Sequence, residues 1–211
     1  MQKKLSLELQ DLSGRSATTI PNPLRGVTYH TLPEADTIDY PSHLKTTKTD
    51  RISVFIDGSN LFYAAFQLGI EVDYEKLLKQ LVGDRRLLRA YFYTGVDPDN
   101  DKQKRFLMWM RHNGYRVVTK ELVKTSDGTK KANLDVEIAV DMITMAEYCQ
   151  SITLLSGDGD LFYALDSISS QGVQVEVVSL RSMTSDQLIN VADRYTDLYK
   201  IQRSISKTLG A

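Results

Sequence analysis

Residues 52–64 read ISVFIDGSNLFYA, and residues 152–164 read ITLLSGDGDLFYA. Each stretch joins a short apolar run to a turn of glycine and aspartate, and then to a segment that begins Leu-Phe-Tyr-Ala. The apolar runs predict buried strands, and the glycines permit a sharp turn from strand to helix. The two stretches therefore predict two strand-turn-helix units, each of which places carboxylates at the carboxyl end of a strand.

The same alternation of short strands and amphipathic helices runs through the chain from residue 51. The predicted strands span residues 52–56, 87–94, 115–122, 152–156 and 173–180, and the predicted helices span residues 59–69, 73–83, 100–114, 134–148, 160–172 and 185–195. The polar segment 125–133 (TSDGTKKAN) predicts a long loop. Alternation at this spacing is typical of βαβ units around a parallel sheet. We therefore expect an α/β fold with three layers, α/β/α, around a central, mainly parallel five-stranded sheet.

Residues 1–49 differ in composition from the rest of the chain. They contain four of the five prolines, among many threonines and serines. Because this composition offers few apolar side chains to bury, we predict an irregular N-terminal extension that is extended or partly disordered. We place the folded domain at residues 50–202 and a C-terminal tail at residues 203–211. The extension is also a candidate contact for a protein partner.

The composition excludes several classes of protein. The single cysteine, Cys149, rules out an internal disulfide and a cysteine-based zinc site, and it fits a reducing compartment. No apolar run is long enough to span a membrane, and the N-terminus lacks the apolar stretch of a signal peptide. We therefore expect a cytoplasmic protein with no membrane partner. With a net charge of -1 and a pI near 6.3, the chain would have to hold a nucleic acid through a local basic patch.

Aspartates cluster in the predicted turns. If the two strands quoted above are neighbours, Asp57, Asp158 and Asp160 converge at their carboxyl ends. Ligands of open α/β sheets bind at this edge. Asp135 lies in the first turn of another predicted helix, whereas Asp141 lies about 120° around that helix and is a secondary acidic residue. Carboxylates this close repel one another unless they are protonated or neutralised by a cation. We therefore predict Asp57, Asp135 and Asp158 as ligands of Mg²⁺ or Mn²⁺.

The aspartates of the two turns also have a purely structural interpretation. Asp57 could serve only to hold a turn, and Asp158 or Asp160 could serve only as a helix N-cap. A dinucleotide-binding motif is excluded, because Phe162 stands where its third glycine belongs. Asn60 is a further candidate for the site, since its amide oxygen could bind a metal or orient a water.

Three stretches, taken in order, resemble a known family. They are FIDGSN (55–60), KKANLDVEIAVDM (130–142) and LLSGDGDLFYAL (154–165). They resemble the NYN domain of the LabA-like (DUF88) group, which belongs to the PIN-like nuclease superfamily. The resemblance covers about residues 50 to 202 and implies a PIN-like, Rossmann-like parallel sheet, an acidic Mg²⁺ site and RNA cleavage as the usual activity. Position by position, it assigns site roles to Asp57, Asn60, Lys131, Asp135, Asp141, Asp158 and Asp160.

Two functions from different classes follow. The first is a Mg²⁺- or Mn²⁺-dependent ribonuclease, in which a metal-activated water attacks an RNA phosphodiester. Its predicted catalytic residues are Asp57, Asn60, Asp135, Asp158 and Asp160, and its predicted RNA-binding residues are Lys124, Lys130, Lys131 and Arg181. The alternative is a regulatory protein that binds protein or RNA without cleavage. The resemblance to the LabA-like group implies a role of that kind in circadian clock output and the control of gene expression.

Two further groups of residues are interpreted without a role in RNA binding. Core packing explains the aromatic residues of the two Leu-Phe-Tyr-Ala segments better than base stacking does; they are Phe62, Tyr63, Phe162 and Tyr163. The basic run of Arg85, Arg86 and Arg89 is most simply a solvated face.

Overall fold

A computed structural model of the chain describes residues 50–124 and 130–207. In chain order the elements are β1 (Arg51–Asp57), α1 (Gly58–Leu68), α2 (Tyr74–Val82), β2 (Arg86–Val96), α3 (Asp101–His112), β3 (Tyr115–Glu121), β4 (Val123–Lys124), β5 (Lys130–Lys131), α4 (Asp135–Ala146), β6 (Ser151–Leu155), α5 (Phe162–Ser169), β7 (Gln174–Ser179), α6 (Asp186–Val191), β8 (Arg194–Asp197) and α7 (Leu198–Ile205). The predicted N-terminal extension lies outside the described residues.

The central sheet has six strands in the order β3-β2-β1-β6-β7-β8, and all neighbouring pairs are parallel. The prediction of a mainly parallel sheet is confirmed, but the prediction of five strands is wrong. The sixth strand, β8, lies at the end of the stretch predicted as one helix over residues 185–195, because α6 stops at Val191. Its four residues, RYTD, are largely polar and carry no strand periodicity, so this edge strand forms through pairing with β7.

Helices cover both faces of the sheet, and each face has its own apolar core. One core joins the sheet to α1, α2, α3 and α7, and the other joins it to α4, α5 and α6. Alternate residues of β1 point into opposite cores: Val54 and Ile56 face the first, and Phe55 faces the second. The three-layer α/β/α arrangement predicted from the sequence is therefore confirmed.

Two boundaries differ from the sequence analysis. Lys130 and Lys131, within the segment 125–133 predicted as a loop, form a strand that pairs antiparallel with the two residues before that segment, Val123 opposite Lys131 and Lys124 opposite Lys130. The last helix runs to Ile205, which is fully buried, so the packed chain continues past residue 202. No helix within residues 50–124 and 130–207 combines the length and the apolar character needed to cross a membrane.

A buried ion-pair network lies inside the sheet on the α1 side. The carboxylate of Glu176, on β7, accepts hydrogen bonds from both terminal nitrogens of Arg85, at 2.7 and 3.1 Å, and one from Arg194 at 2.6 Å. Thr153 donates a further bond to it at 2.9 Å. Burial disfavours the charged carboxylate, but the bonds from Arg85 and the charge of Arg194 outweigh it and lower the pKa of Glu176. The sequence analysis interpreted Arg85 as part of a solvated face, and this interpretation is wrong.

We expect Arg85→Met to lower the free energy of unfolding by about 3–5 kcal/mol, because it leaves the Glu176 carboxylate buried with one fewer partner. The matched control is Arg86→Met, since Arg86 is the next residue and is exposed. The control should change stability by no more than about 0.5 kcal/mol. Urea titration of both variants measures the difference, and equal losses would contradict the structural role of Arg85.

Candidate functional site

The carboxyl ends of β1 and β6 open a crevice at the centre of the sheet. From β1 the chain enters α1 on one face, and from β6 it enters α5 on the opposite face. This is the topological switch point at which open α/β sheets bind ligands. Both turns need glycine, because a Cβ on Gly58 would lie 2.6 Å from the Tyr93 carbonyl oxygen, and one on Gly157 would lie 2.1 Å from the Met183 carbonyl oxygen.

Ser156 joins the two turns. Its hydroxyl donates to Asp57 Oδ2 at 3.1 Å and accepts from the backbone N–H of Asp158 at 3.2 Å. Asp57 Oδ1 in turn accepts the N–H groups of Ser59 and Asn60, so it caps α1. The sequence analysis did not single out Ser156. The signal for it was a polar residue at the end of an apolar strand, directly before the glycine-aspartate turn.

Three aspartates come together in the crevice. Asp135, Asp158 and Asp160 each offer a carboxylate oxygen, and these oxygens all lie within 4.8 Å of one another. Asp135 is the first residue of α4, where its backbone N–H donates to Asn133 Oδ1 at 2.9 Å and its Oδ2 accepts from Asn133 Nδ2 at 2.6 Å. Asp158 caps the turn into α5 by accepting the N–H of Asp160 at 3.0 Å. Within the described residues, these three form the acidic trio.

Asp57 lies beside the acidic trio. It lines the same cavity of about 610 Å³ as Asp135 and Asp158, but it is not one of the residues whose oxygens meet within 4.8 Å. Burial raises the pKa of Asp57, although bonds from Asn60, Ser156 and Ser59 partly offset this effect. Burial also raises the pKa of Asp135, and the negative charge of Asp158 raises it further. Both carboxylates are thus held at an energetic cost in the absence of a cation.

Two other predicted site residues have partners of their own. The side-chain oxygen of Asn60 accepts from Ser179 Oγ at 3.2 Å, which ties α1 to the end of β7. Asp141 Oδ2 accepts from Tyr93 OH at 2.9 Å, which agrees with a secondary position farther along α4. Neither residue belongs to the acidic trio.

The predicted RNA-binding residues lie at two different places. Arg181 follows β7 and donates to Asp186 at 2.6 Å, in a hollow separate from the cavity lined by Asp57. The backbone of Lys124, Lys130 and Lys131 forms the β4–β5 hairpin, which leads within a few residues to Asp135. The side chains of these lysines lie outside the described residues.

The donor set of the acidic trio suits a hard divalent cation. All three side chains offer carboxylate oxygens, the ligands that Mg²⁺ and Mn²⁺ prefer. Burial is the main cause of the raised pKa values of Asp57 and Asp135, the negative charge of Asp158 adds to both, and a bound cation would favour the charged carboxylates. The cluster therefore has the chemistry of a metal site.

A six-stranded parallel sheet with an acidic cluster at its switch point defines a class of α/β proteins with a metal-compatible crevice. The NYN domain family matches residues 51–200, and the chain belongs to this family. The "Low amplitude and bright protein LabA" of Synechococcus elongatus is 36% identical over 169 residues, which cover 76% of this chain and 90% of that protein.

A solved structure shares the fold. A protein of unknown function from Vibrio parahaemolyticus aligns with a TM-score of 0.67 and 23% identity, over 78% of this chain and 100% of that chain. At this identity the likeness concerns the fold alone.

We expect Mg²⁺ or Mn²⁺ to raise the melting temperature of the protein. A cation that binds the folded state at a hundredfold excess over its Kd should add about 5–10 °C for a chain of this size. Asp158→Asn should remove most of this increase, whereas Asp166→Asn, on an exposed part of α5, should keep it. Differential scanning fluorimetry makes the comparison, and the same metal response in Asp158→Asn and wild type would exclude the acidic trio as the metal site.

Asp57→Asn should stabilise the metal-free protein at neutral pH. Asparagine can still cap α1 and bond to Ser156, but it carries no charge to be desolvated. Because the folded-state pKa of Asp57 is raised, the destabilising effect is absent below the unfolded pKa near 3.9 and grows as pH rises through the folded value. Melting curves in EDTA between about pH 3.5 and pH 7 test this. A gain that stayed constant across the range would contradict an electrostatic cause.

Proposed function

We propose that this chain is a Mg²⁺- or Mn²⁺-dependent ribonuclease that hydrolyses RNA phosphodiester bonds. The observation that carries the proposal is the convergence of the Asp135, Asp158 and Asp160 oxygens within 4.8 Å at the switch point of the sheet. Membership of the NYN domain family supports the same function.

Each residue of the crevice has a task in this proposal. The acidic trio would hold the cation, and rigid elements fix each of its members, because Asp135 begins α4 and Asp158 caps the turn into α5. Asp57 lines the cavity with its orientation set by three hydrogen bonds, and Ser156 keeps it in register with Asp158. When bound, a divalent cation at such a site activates a water and stabilises charge on the phosphodiester.

RNA is the proposed partner, and the lysines of the hairpin are its proposed phosphate contacts. Lys130 and Lys131 lie just before Asn133, which lines the cavity, and the backbone of Lys124 pairs with that of Lys130. If all three lysines meet phosphates, replacing them with alanine should make the salt dependence of RNA binding shallower by about two units for a single strand. An unchanged slope would place the RNA path elsewhere.

The 36% identity to LabA favours a second candidate function, a regulatory protein that acts through protein or RNA binding without cleavage. The resemblance to the LabA-like group carries the expectation of circadian output and control of gene expression. This candidate uses the same fold and needs no turnover. A cleavage assay therefore separates the two functions.

Incubation of the purified full chain with a labelled RNA, in Mn²⁺ or in EDTA, tests the proposal. We expect cleavage in Mn²⁺ alone, and Asp158→Asn should slow it by at least about a hundredfold, because it removes a metal ligand. Asp166→Asn should cleave as the wild type does. Cleavage that persists in EDTA or in Asp158→Asn would indicate a contaminating nuclease. Binding of RNA with no cleavage in either metal would favour the regulatory candidate.

A further inference from the structure

Three aromatic side chains on α1 face outward. Phe62 and Tyr63 were expected in the core, but they are 65% and 60% exposed, because Leu61 and Ala64 are the residues of this turn that face inward. Phe66, one turn after Phe62, is 76% exposed. In the matching segment, Phe162 packs against the core and Tyr163 is exposed. The core-packing interpretation is therefore wrong for Phe62, Tyr63 and Tyr163, and α1 leaves rigid apolar rings in water.

These rings border a groove that continues from the acidic cavity. Phe62 lines both the acidic cavity and a neighbouring hollow of about 430 Å³ that also contains Phe66. A third hollow, of about 350 Å³, adds Trp109. Tyr74 and Phe106 line all three hollows, and their ring centroids are 5.1 Å apart. We call this continuous surface between α1 and α3 the aromatic groove.

Helix α3, which forms one wall of the aromatic groove, carries an excess of positive charge, although the charged residues that line the two outer hollows are Glu71, Asp73, Glu75 and Lys207. Helix α3 carries four basic side chains, Lys102, Lys104, Arg105 and Arg111, against one acidic side chain, Asp101. Lys104 pairs with Asp101 at 3.1 Å, and Lys102, Arg105 and Arg111 are exposed. The chain as a whole is slightly acidic, so this helix is a local concentration of positive charge beside exposed rings.

We propose that the aromatic groove binds the unpaired nucleobases of a single-stranded nucleic acid that leads away from the acidic trio. Bases stack on exposed aromatic rings in a sequence-tolerant way, and the exposed basic residues of α3 are the proposed phosphate contacts. A duplex keeps its bases stacked on each other, so it cannot use such a surface. The path of the nucleic acid strand away from the acidic trio rests on the proposed function, because that function places a phosphodiester at the acidic trio, where the groove starts.

Phe66 provides the sharpest test, because it lines the groove but not the cavity of the acidic trio. Fluorescence anisotropy of the full chain with a labelled single-stranded RNA of about 12 nucleotides, in EDTA, gives affinity without metal-dependent cleavage. Phe66→Ala should weaken binding by about tenfold, in line with the loss of one stacked base. Phe66→Leu should weaken binding similarly, because leucine has no ring on which a base can stack. Phe66→Trp should bind as tightly as the wild type does. A probe with abasic sugars should bind more weakly to wild type and should not distinguish Phe66→Ala from wild type.

The chain supplies its own reporter and its own control. Trp109 is the single tryptophan, it is 40% exposed and it lines the far hollow, so stacking there should quench its fluorescence during titration with the RNA but not with the abasic probe. Tyr148 is an exposed aromatic residue that follows α4 on the opposite face of the sheet, so Tyr148→Ala should bind as the wild type does. Melting temperatures of the variants confirm that they fold.

Several outcomes would overturn the proposal. Equal affinity of wild type and Phe66→Ala for the single-stranded RNA would overturn it, as would equal affinity of wild type for RNA and the abasic probe. Full affinity in Phe66→Leu would point to a merely apolar contact, such as that with a peptide, and would also overturn it. Failure of the nuclease proposal is distinguishable, because wild type would then show Phe66-dependent binding and Trp109 quenching without cleavage in Mn²⁺.

Discussion

The whole site depends on the reversal of strand order between β1 and β6. On one side of this junction the chain builds outward through β2 and β3, and on the other through β7 and β8. Because the helices that follow β1 and β6 pack on opposite faces, neither covers the carboxyl ends of the two strands. The gap is narrow enough that one hydroxyl, from the buried Ser156, contacts the turns of both strands. The carboxylates are therefore brought together by topology, and α4 adds Asp135 from the side.

The carboxylates at the crevice and the buried carboxylate of Glu176 have different hydrogen-bond and charge partners. At Glu176 the protein surrounds one buried carboxylate with Arg85, Arg194 and Thr153, and the pKa falls. At the crevice, burial and neighbouring aspartates raise the pKa of Asp57 and Asp135, and the compensating contacts are neutral N–H, O–H and amide groups. A structural carboxylate is thus neutralised inside the fold, whereas the carboxylates of the crevice remain available to an external cation.

Much of this arrangement could be predicted from the sequence, because strand runs, glycine turns and capping aspartates are local signals. The two matched turns and the helix starting at Asp135 predicted that aspartates cluster at the carboxyl edge of the sheet, and three aspartates do meet there. What depended on tertiary contacts could not be predicted in this way. Strand β8 is polar and forms only beside β7, and Arg85 is buried only because Glu176 lies across the sheet. Asp160 belongs to the acidic trio and Asp57 lies beside it. This difference depends on the side-chain directions at the two turns, which the sequence pattern does not specify.

The two Leu-Phe-Tyr-Ala segments show why a repeated string need not mean a repeated environment. Both follow strands of one sheet, yet α5 packs extensively between α4 and α6, whereas α1 has only a slight contact with α7. Phe62 therefore stays exposed, whereas Phe162 has neighbouring helices to pack against. The sequence specifies which residues point inward from each turn, but the extent of packing with neighbouring helices decides whether the remaining faces are covered.

If RNA binds at the crevice, as proposed, electrostatics would couple its binding to that of the metal. The crevice presents Asp57 and the acidic trio, and the chain has a net charge of -1, so a phosphate approaching the metal-free site meets repulsion. A divalent cation reduces this negative charge, and by thermodynamic linkage RNA that binds more tightly to the metal-loaded crevice must tighten metal binding by the same factor. A regulatory protein that bound RNA at the crevice would gain affinity from the cation for the same electrostatic reason.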